Sequence, residues 1–229
     1  MNPFDSYKLQ NEVIPSPGTE DRDWSAIEKK IELVKPFVKT VHIDVIDGKF
    51  ASNTSFSDPT PFKKFTKDPP DGEASIFFEV HLMVDNPIQY LKPWADAGFK
   101  RFIGHIEKMP DIAEFVAQGQ LLGEVGLAID KQTPVDAIKV SYDDLDVVLV
   151  MTIQAGFSGQ KFEAMLLEKV KQIREKSASI PIEVDGGIAD KTILMAKVAG
   201  ANRFVSTSFL FSSPDPRGQY EILNGLVKE

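Results

Sequence analysis

Eight short apolar runs rich in β-branched residues punctuate this chain, at residues 12–15, 41–46, 77–83, 101–106, 125–129, 147–152, 182–184 and 203–206. Runs this short and this continuously apolar predict strands buried on both faces of a parallel sheet. Most of the intervening segments change to a helical period. Over 24–37 the apolar positions are Trp24, Ile27, Ile31, Val34 and Phe37, which predicts an amphipathic helix. Asn86-Pro87 reads as a cap and first-turn proline for a helix over 88–97 that stops at Gly98. Leu167, Val170 and Ile173 mark a helix over 164–176, and another over 191–199 runs into Gly200.

Strand and helix alternating eight times across short links predict an α/β fold, a single (β/α)8 TIM barrel domain over 1–229. An open doubly wound sheet is the rival arrangement, but no G-x-G-x-x-G follows the first strand and no second domain is evident. One stretch breaks the pattern: TKDPPDGEA, residues 66–74, whose proline, glycine and charge predict an exposed insertion or mobile link inside a βαβ unit.

Composition narrows the partners. With 229 residues and 42% hydrophobic content the chain can bury a core of barrel size. Its 34 acidic against 26 basic residues leave a formal charge of −8, which disfavours a phosphate backbone and so nucleic acid. No apolar run approaches the roughly 20 residues needed to span a bilayer, so no membrane partner is expected. Cysteine is absent, which removes disulfide and thiolate chemistry. The N-terminus carries no export signal, and a cytoplasmic location is expected.

Against that background the histidines stand out. All three, His42, His81 and His105, fall near the C-terminal ends of apolar runs, the end where barrels carry their active sites. His42 and Asp44 lie at i and i+2 and so share a strand face. Joined by His81 and Asp185 from other runs, they would form a mixed nitrogen and oxygen site for one divalent cation. Three polar turns follow late runs: QAGFSGQ with Gly156, Ser158 and Gly159, then DGG with Gly186 and Gly187, then STS with Thr207 and Ser208. Glycine lets a backbone approach an anion, and barrels bind phosphate after strands 7 and 8, so these turns suggest a cradle for a small phosphorylated metabolite. Such local donors are needed because the overall charge repels an anion.

Several strings, taken in order, carry a likeness across residues 13–216. They are IPS (14–16), HIDVIDGKF with a following Asn53, EVHLMVDNP, AGF…HIE, GLAI…TPV, DLDVVLVMT, AGFSGQKF, VDGGI and AGANRFVSTS. In these the chain resembles the ribulose-phosphate 3-epimerase family. The resemblance implies a metal-holding (β/α)8 barrel with His42, Asp44, His81 and Asp185 as ligands, to Zn, Fe, Mn or Co. It implies epimerisation at C3 of a ketose phosphate, ribulose 5-phosphate to xylulose 5-phosphate, in the pentose phosphate pathway, with Asp44 and Asp185 as acid and base. Ser16, His81, Met83 and Met151 would stand beside the ketose, and Gly156, Ser158, Gly159, Gly186, Gly187, Thr207 and Ser208 beside the phosphate. His105 and Glu107 match a family H-x-E in a supporting role. A homo-oligomer is also implied.

The same comparison exposes departures. Ala155 to Gln160 replace a Pro-Gly-Phe-Gly-Gly-Gln run, Thr207 replaces a glycine, Pro17-Gly18 replace an aliphatic pair, Ile46 replaces a methionine, and Asp130-Lys131-Gln132 replace Asn-Pro-Ala. If the glycine at 207 served a positive φ, Thr207 would carry a steric cost there. Two other readings stay open: a 3-epimerase of another phosphorylated ketose such as allulose 6-phosphate, and a non-catalytic, metal-containing barrel that binds sugar phosphates.

Overall fold

A computed structural model describes residues 10–66 and 76–228. The eight apolar runs form eight strands: β1 (Glu12–Pro15), β2 (Thr40–Ile46), β3 (Phe77–Met83), β4 (Arg101–His105), β5 (Glu124–Ile129), β6 (Val147–Met151), β7 (Ile182–Asp185) and β8 (Arg203–Ser206). Every ladder is parallel and the order is β1-β8-β7-β6-β5-β4-β3-β2, so the sheet curls into the barrel the alternation predicts. β1 and β2 stand at the two ends of that order, and no ladder joins them. A side-chain bond crosses this seam instead, from Ser16 Oγ to Asp44 Oδ2 at 2.7 Å.

The helices ring the barrel as α1 (Trp24–Val34), α2 (Lys63–Thr66), α3 (Ile88–Asp96), α4 (Ile112–Gln120), α5 (Leu167–Lys176), α6 (Asp190–Ala199), α7 (Ser208–Phe211) and α8 (Pro216–Lys228). α1 stops short of Phe37 because Pro36 has no N–H to continue the ladder. α4, which the periodicity did not single out, is capped by Asp111, whose carboxylate accepts from the Glu114 N–H at 3.0 Å. Asn86 does not cap α3. Its φ is +55° and its N–H bonds the Lys108 carbonyl, which draws it away from the helix start and leaves Pro87 in the cap position. Of the proline-rich stretch at 66–74, Thr66 ends α2 and the rest lies outside the described residues. Among the described residues no helix is long and apolar enough to cross a membrane.

Strand alternation divides the apolar side chains into two sets. Outward residues such as Val41, Phe78 and Phe102 meet Ile31 of α1, Leu91 and Trp94 of α3 and Leu223 of α8 in the larger core. Trp94 and Phe99 pack edge to face there, with centroids 4.6 Å apart. Each fully buried Leu or Ile in this layer contributes about 1.5–3 kcal/mol. Inside the barrel the apolar set is smaller, with Ile103, Ala128, Leu149 and Met151 on β4 to β6 joined by Ile46 and Met83. The rest of the lumen on β2, β3, β7 and β8 is mostly polar or charged, with Val205 as an apolar exception.

Candidate active site

The polar part of the lumen is stacked in two levels, because parallel register sets inward residues of neighbouring strands side by side. Asp44 pairs with His81 across β2 and β3, and Met151 pairs with Asp185 across β6 and β7. One level nearer the strand starts, His42 pairs with Glu79, Glu79 with Arg101, and Glu183 with Arg203. The sequence placed all three histidines near the strand ends, but His42 is only the third residue of β2 and lies beneath Asp44.

His42 reaching up to the upper level completes the predicted quartet. His81 Nδ1 lies 3.0 Å from Asp44 Oδ1 and 3.6 Å from Asp185 Oδ2, and His42 Nε2 lies 3.2 Å from Asp44 Oδ1. One donor atom from each of the four residues falls within 4.8 Å of all the others. Ligands of a tetrahedral ion at about 2.0–2.1 Å would sit about 3.3–3.4 Å apart, so this spacing and donor chemistry fit a single divalent cation. The set is almost closed to water, with Asp185 keeping 13% and Asp44 5% of its side-chain exposure.

Packing ionisable groups this closely separates their protonation states. Burial alone would raise Asp44, but the charge of His42 and hydrogen bonds from both imidazoles hold its carboxyl well below the usual range. Burial, followed by repulsion from Asp44, pushes Asp185 up to about 8. Burial also disfavours a charged His42, yet Asp44 and the carboxylates around it keep the ring well above 6.5, whereas His81 falls to about 4 chiefly through burial. At neutral pH and without metal, Asp44 is therefore anionic, His42 cationic, His81 neutral and Asp185 protonated.

Supporting residues fix these positions. Ser16 donates to the other oxygen of Asp44 at 2.7 Å. His105 stacks on His81 with centroids 4.9 Å apart, and its Nδ1 is 2.8 Å from Glu107. Glu107 in turn accepts from the Asp130 N–H at 2.7 Å, and the Asp130 carboxylate accepts from Gln154 Nε2 and the Ala155 N–H at 2.8 and 3.1 Å. A chain of polar contacts thus runs from the imidazole pair to the loop after β6.

A cleft of about 440 Å³, counting its open mouth, sits above the quartet at the C-terminal ends of the strands. Asp44, Asp185, Met83 and Met151 form its floor, and Gly156, Ser158, Gly159, Gly186, Gly187, Thr207 and Ser208 line the remainder. Ser16 and His81, which the resemblance put against substrate, are fully buried and sit behind Asp44 instead. Gly187 has φ +67°, and a Cβ there would lie 2.9 Å from the Phe162 backbone, so only glycine keeps this turn tight against its neighbour.

Thr207 departs from the expectation of strain. Its φ is −116°, an ordinary value, and the positive φ belongs to Gly18 across the cleft, at +91°. A Cβ on Gly18 would approach Thr207 Cγ2 to 2.7 Å and Ser158 Oγ to 3.5 Å. Three of the departures in the sequence therefore meet at one point, the threonine methyl occupying the space the glycine leaves. Ser158 adds a link of its own: its N–H donates to Thr19 Oγ1 and its Oγ accepts from the Thr19 N–H, both at 3.2 Å.

Sequence reasoning missed the lower level, Glu79, Arg101, Glu183 and Arg203. A usable signal was present, since Glu79 and Glu183 each lie two residues before a quartet member, and so face the lumen from within apolar runs.

A (β/α)8 barrel holding two imidazoles and two carboxylates beneath a glycine-rich mouth is the class these features define. The model of the ribulose-phosphate 3 epimerase family matches residues 17–211. The ribulose-phosphate 3-epimerase of Schizosaccharomyces pombe is 35% identical over 206 residues, covering 89% of this chain and 88% of the relative. The enzyme of that name from Bacillus subtilis is 31% identical over 220 residues, covering 92% and 97%. Among solved structures, KGPDC from Streptococcus mutans superposes with a TM-score of 0.69 at 13% identity, covering 96% of this chain and 98% of that one, a likeness of fold alone. The chain belongs to the ribulose-phosphate 3-epimerase family, and it is an enzyme of the isomerase class.

Proposed function

We propose that this enzyme inverts C3 of a ketose phosphate, converting ribulose 5-phosphate to xylulose 5-phosphate. The observation that carries the reading is the pair Asp44 and Asp185, brought from β2 and β7 to the floor of one cleft and driven to opposite protonation states. The names of the relatives supply the substrate.

Inversion next to a ketone needs a base on one face of the carbon and an acid on the other. Asp44 starts as the carboxylate. It takes the C3 proton as the C–H pair moves toward the carbonyl oxygen. Asp185, which gives up its proton on metal loading, takes one back from solvent as the substrate binds and delivers it to the opposite face, so the net change is in configuration and nothing is oxidised or reduced. In the reverse direction the two exchange roles. His42, Asp44, His81 and Asp185 would hold a divalent cation, which would supply positive charge to stabilise an anion formed next to a ketone. Ser16 fixes the rotation of Asp44. Met83 and Met151 give the floor a dry surface that excludes water from the reacting carbon. The turns bearing Gly186, Gly187 and Ser208 would take the phosphate. A cytoplasmic location belongs to the same proposal, a relative from Oryza sativa subsp. japonica being named as a cytoplasmic isoform.

The test is proton NMR of the metal-reconstituted protein with ribulose 5-phosphate in D2O. Deuterium at C3 together with xylulose 5-phosphate is expected, and each of Asp44→Asn and Asp185→Asn should lower turnover by at least about 10²-fold while the melting temperature and the cooperativity of unfolding stay native. Near-normal turnover in either variant rules out the two-aspartate route. Silence toward ribulose 5-phosphate with exchange on allulose 6-phosphate would reassign the substrate.

A further inference from the structure

The ring nitrogens of His42 face two different environments. Nε2 points into the quartet, 3.2 Å from Asp44 Oδ1, while Nδ1 lies 2.8 Å from Glu79 Oε1 in the level below. Glu79 is fully buried, and its second oxygen accepts from Arg101 Nη1. The Arg101 Nε continues outward to Glu124 Oε2 at 2.7 Å. His42, Glu79, Arg101 and Glu124 are register partners across four consecutive strands, so base and acid alternate along one rung of the barrel. Glu183 Oε1 also approaches Nδ1, at 3.3 Å, without forming a hydrogen bond.

We infer that Glu79, clamped by Arg101, is a positioning residue that holds the proton of His42 on Nδ1 and so presents the Nε2 lone pair to the divalent cation. The inference rests on the metal reading given above. A buried ion pair between Glu79 and Arg101 adds little net stability, because desolvation consumes most of the Coulombic gain. The geometry accounts for its presence otherwise. One carboxylate oxygen is committed to the arginine. The other oxygen is left with the imidazole as its partner. An accepting carboxylate behind a ligating imidazole fixes both tautomer and ring plane and raises the basicity of the ligating nitrogen. Arg101 makes the carboxylate a reliable acceptor, and Glu124 anchors the arginine at the floor of the barrel.

The experiment compares the wild type with Glu79→Gln/Arg101→Met, which removes both charges of the pair together, so that Arg101 is not left without its carboxylate. Metal-stripped protein is titrated with cobalt(II), following heat and the visible d–d band, and its melting temperature is measured before metal is added. The expected result is cobalt affinity about 10- to 100-fold weaker and a shifted d–d band in the double variant, with the metal-free melting temperature maintained. Wild-type affinity and an unshifted band in the folded double variant would overturn the inference alone. Failure of the wild type to bind cobalt would overturn it together with the metal reading. Should the variant not fold, 15N NMR of the histidine rings in the zinc-loaded wild type decides the matter: His42 with Nδ1–H and ligated Nε2 supports the relay, and the opposite tautomer sinks it.

Discussion

Loading the site with metal must expel protons, and the structure says how many. A ligand nitrogen or oxygen has to be deprotonated, and two of the four are not: His42, held well above 6.5, and Asp185, pushed up to about 8. Asp44, held far below the usual range, and His81, at about 4, release none at neutral pH. Two protons per metal make the apparent affinity climb about 100-fold per pH unit between about pH 5 and 7, or about 2.7 kcal/mol per unit. Above about pH 8 Asp185 has already ionised, and its share of the slope is lost. Calorimetric titration with cobalt(II) at pH 6.5 in two non-coordinating buffers of different ionisation enthalpy counts the protons directly. Asp185→Asn should reduce the count from two to one. Release of fewer than one proton by the wild type would refute the reasoning, because it would mean that the metal-free quartet does not store its charge as described.

Gly18→Ala places a Cβ at φ +91° and 2.7 Å from Thr207 Cγ2, so a loss of about 1–3 kcal/mol is expected in urea unfolding. Adding Thr207→Gly should recover only the steric part, and full independence of the two changes would dissolve the compensation argued above. Ser158→Gly deletes the hydroxyl half of the link to Thr19; KM for a ketose phosphate should rise about five- to tenfold, or about 1–1.4 kcal/mol, with a smaller effect on kcat. Equal KM values would show that the two loops move independently. Glu107 is the acid-sensitive part of the supporting chain. Burial raises it, but His105 and the hydrogen bonds around it bring it from 4.5 to about 2. A depressed carboxyl stabilises the fold fully above its unfolded value and loses that contribution as pH falls, here from about 4.5 toward about 2. Thermal melts of wild type and Glu107→Gln should therefore converge across that window, and curves that stay parallel would count against the assignment.

How much of this was legible in the sequence depended on whether a signal was local. The eight strands were, since a strand buried on both faces can only be an apolar run, and so was the quartet, since His42 and Asp44 share a face by parity alone. The level of Glu79, Arg101, Glu183 and Arg203 was hidden for the opposite reason. Charges inside apolar runs have no partner visible in sequence, and the partners come from strands 20 or more residues away. Asn86 failed as a cap because a tertiary bond to Lys108 turned it elsewhere. Thr207 misled because backbone strain belongs to the pair of loops: the left-handed residue had moved to the other side of the cleft, at Gly18.

The unzipped seam between β1 and β2 leaves one junction of the barrel without a ladder. Seven ladders can form one after another from β2 round to β1, and what remains is to bring the two free edges into register without a ladder of their own. Ser16 reaching Asp44 is the visible sign that this has happened, and the residue it grips is the proposed catalytic base. A molecule caught just before closure would keep nearly all its secondary structure and present Asp44 wrongly turned. Native circular dichroism would then be a poor witness to competence for this chain, and the slowest step of refolding should be timed by the return of C3 exchange, trailing the recovery of helix and sheet.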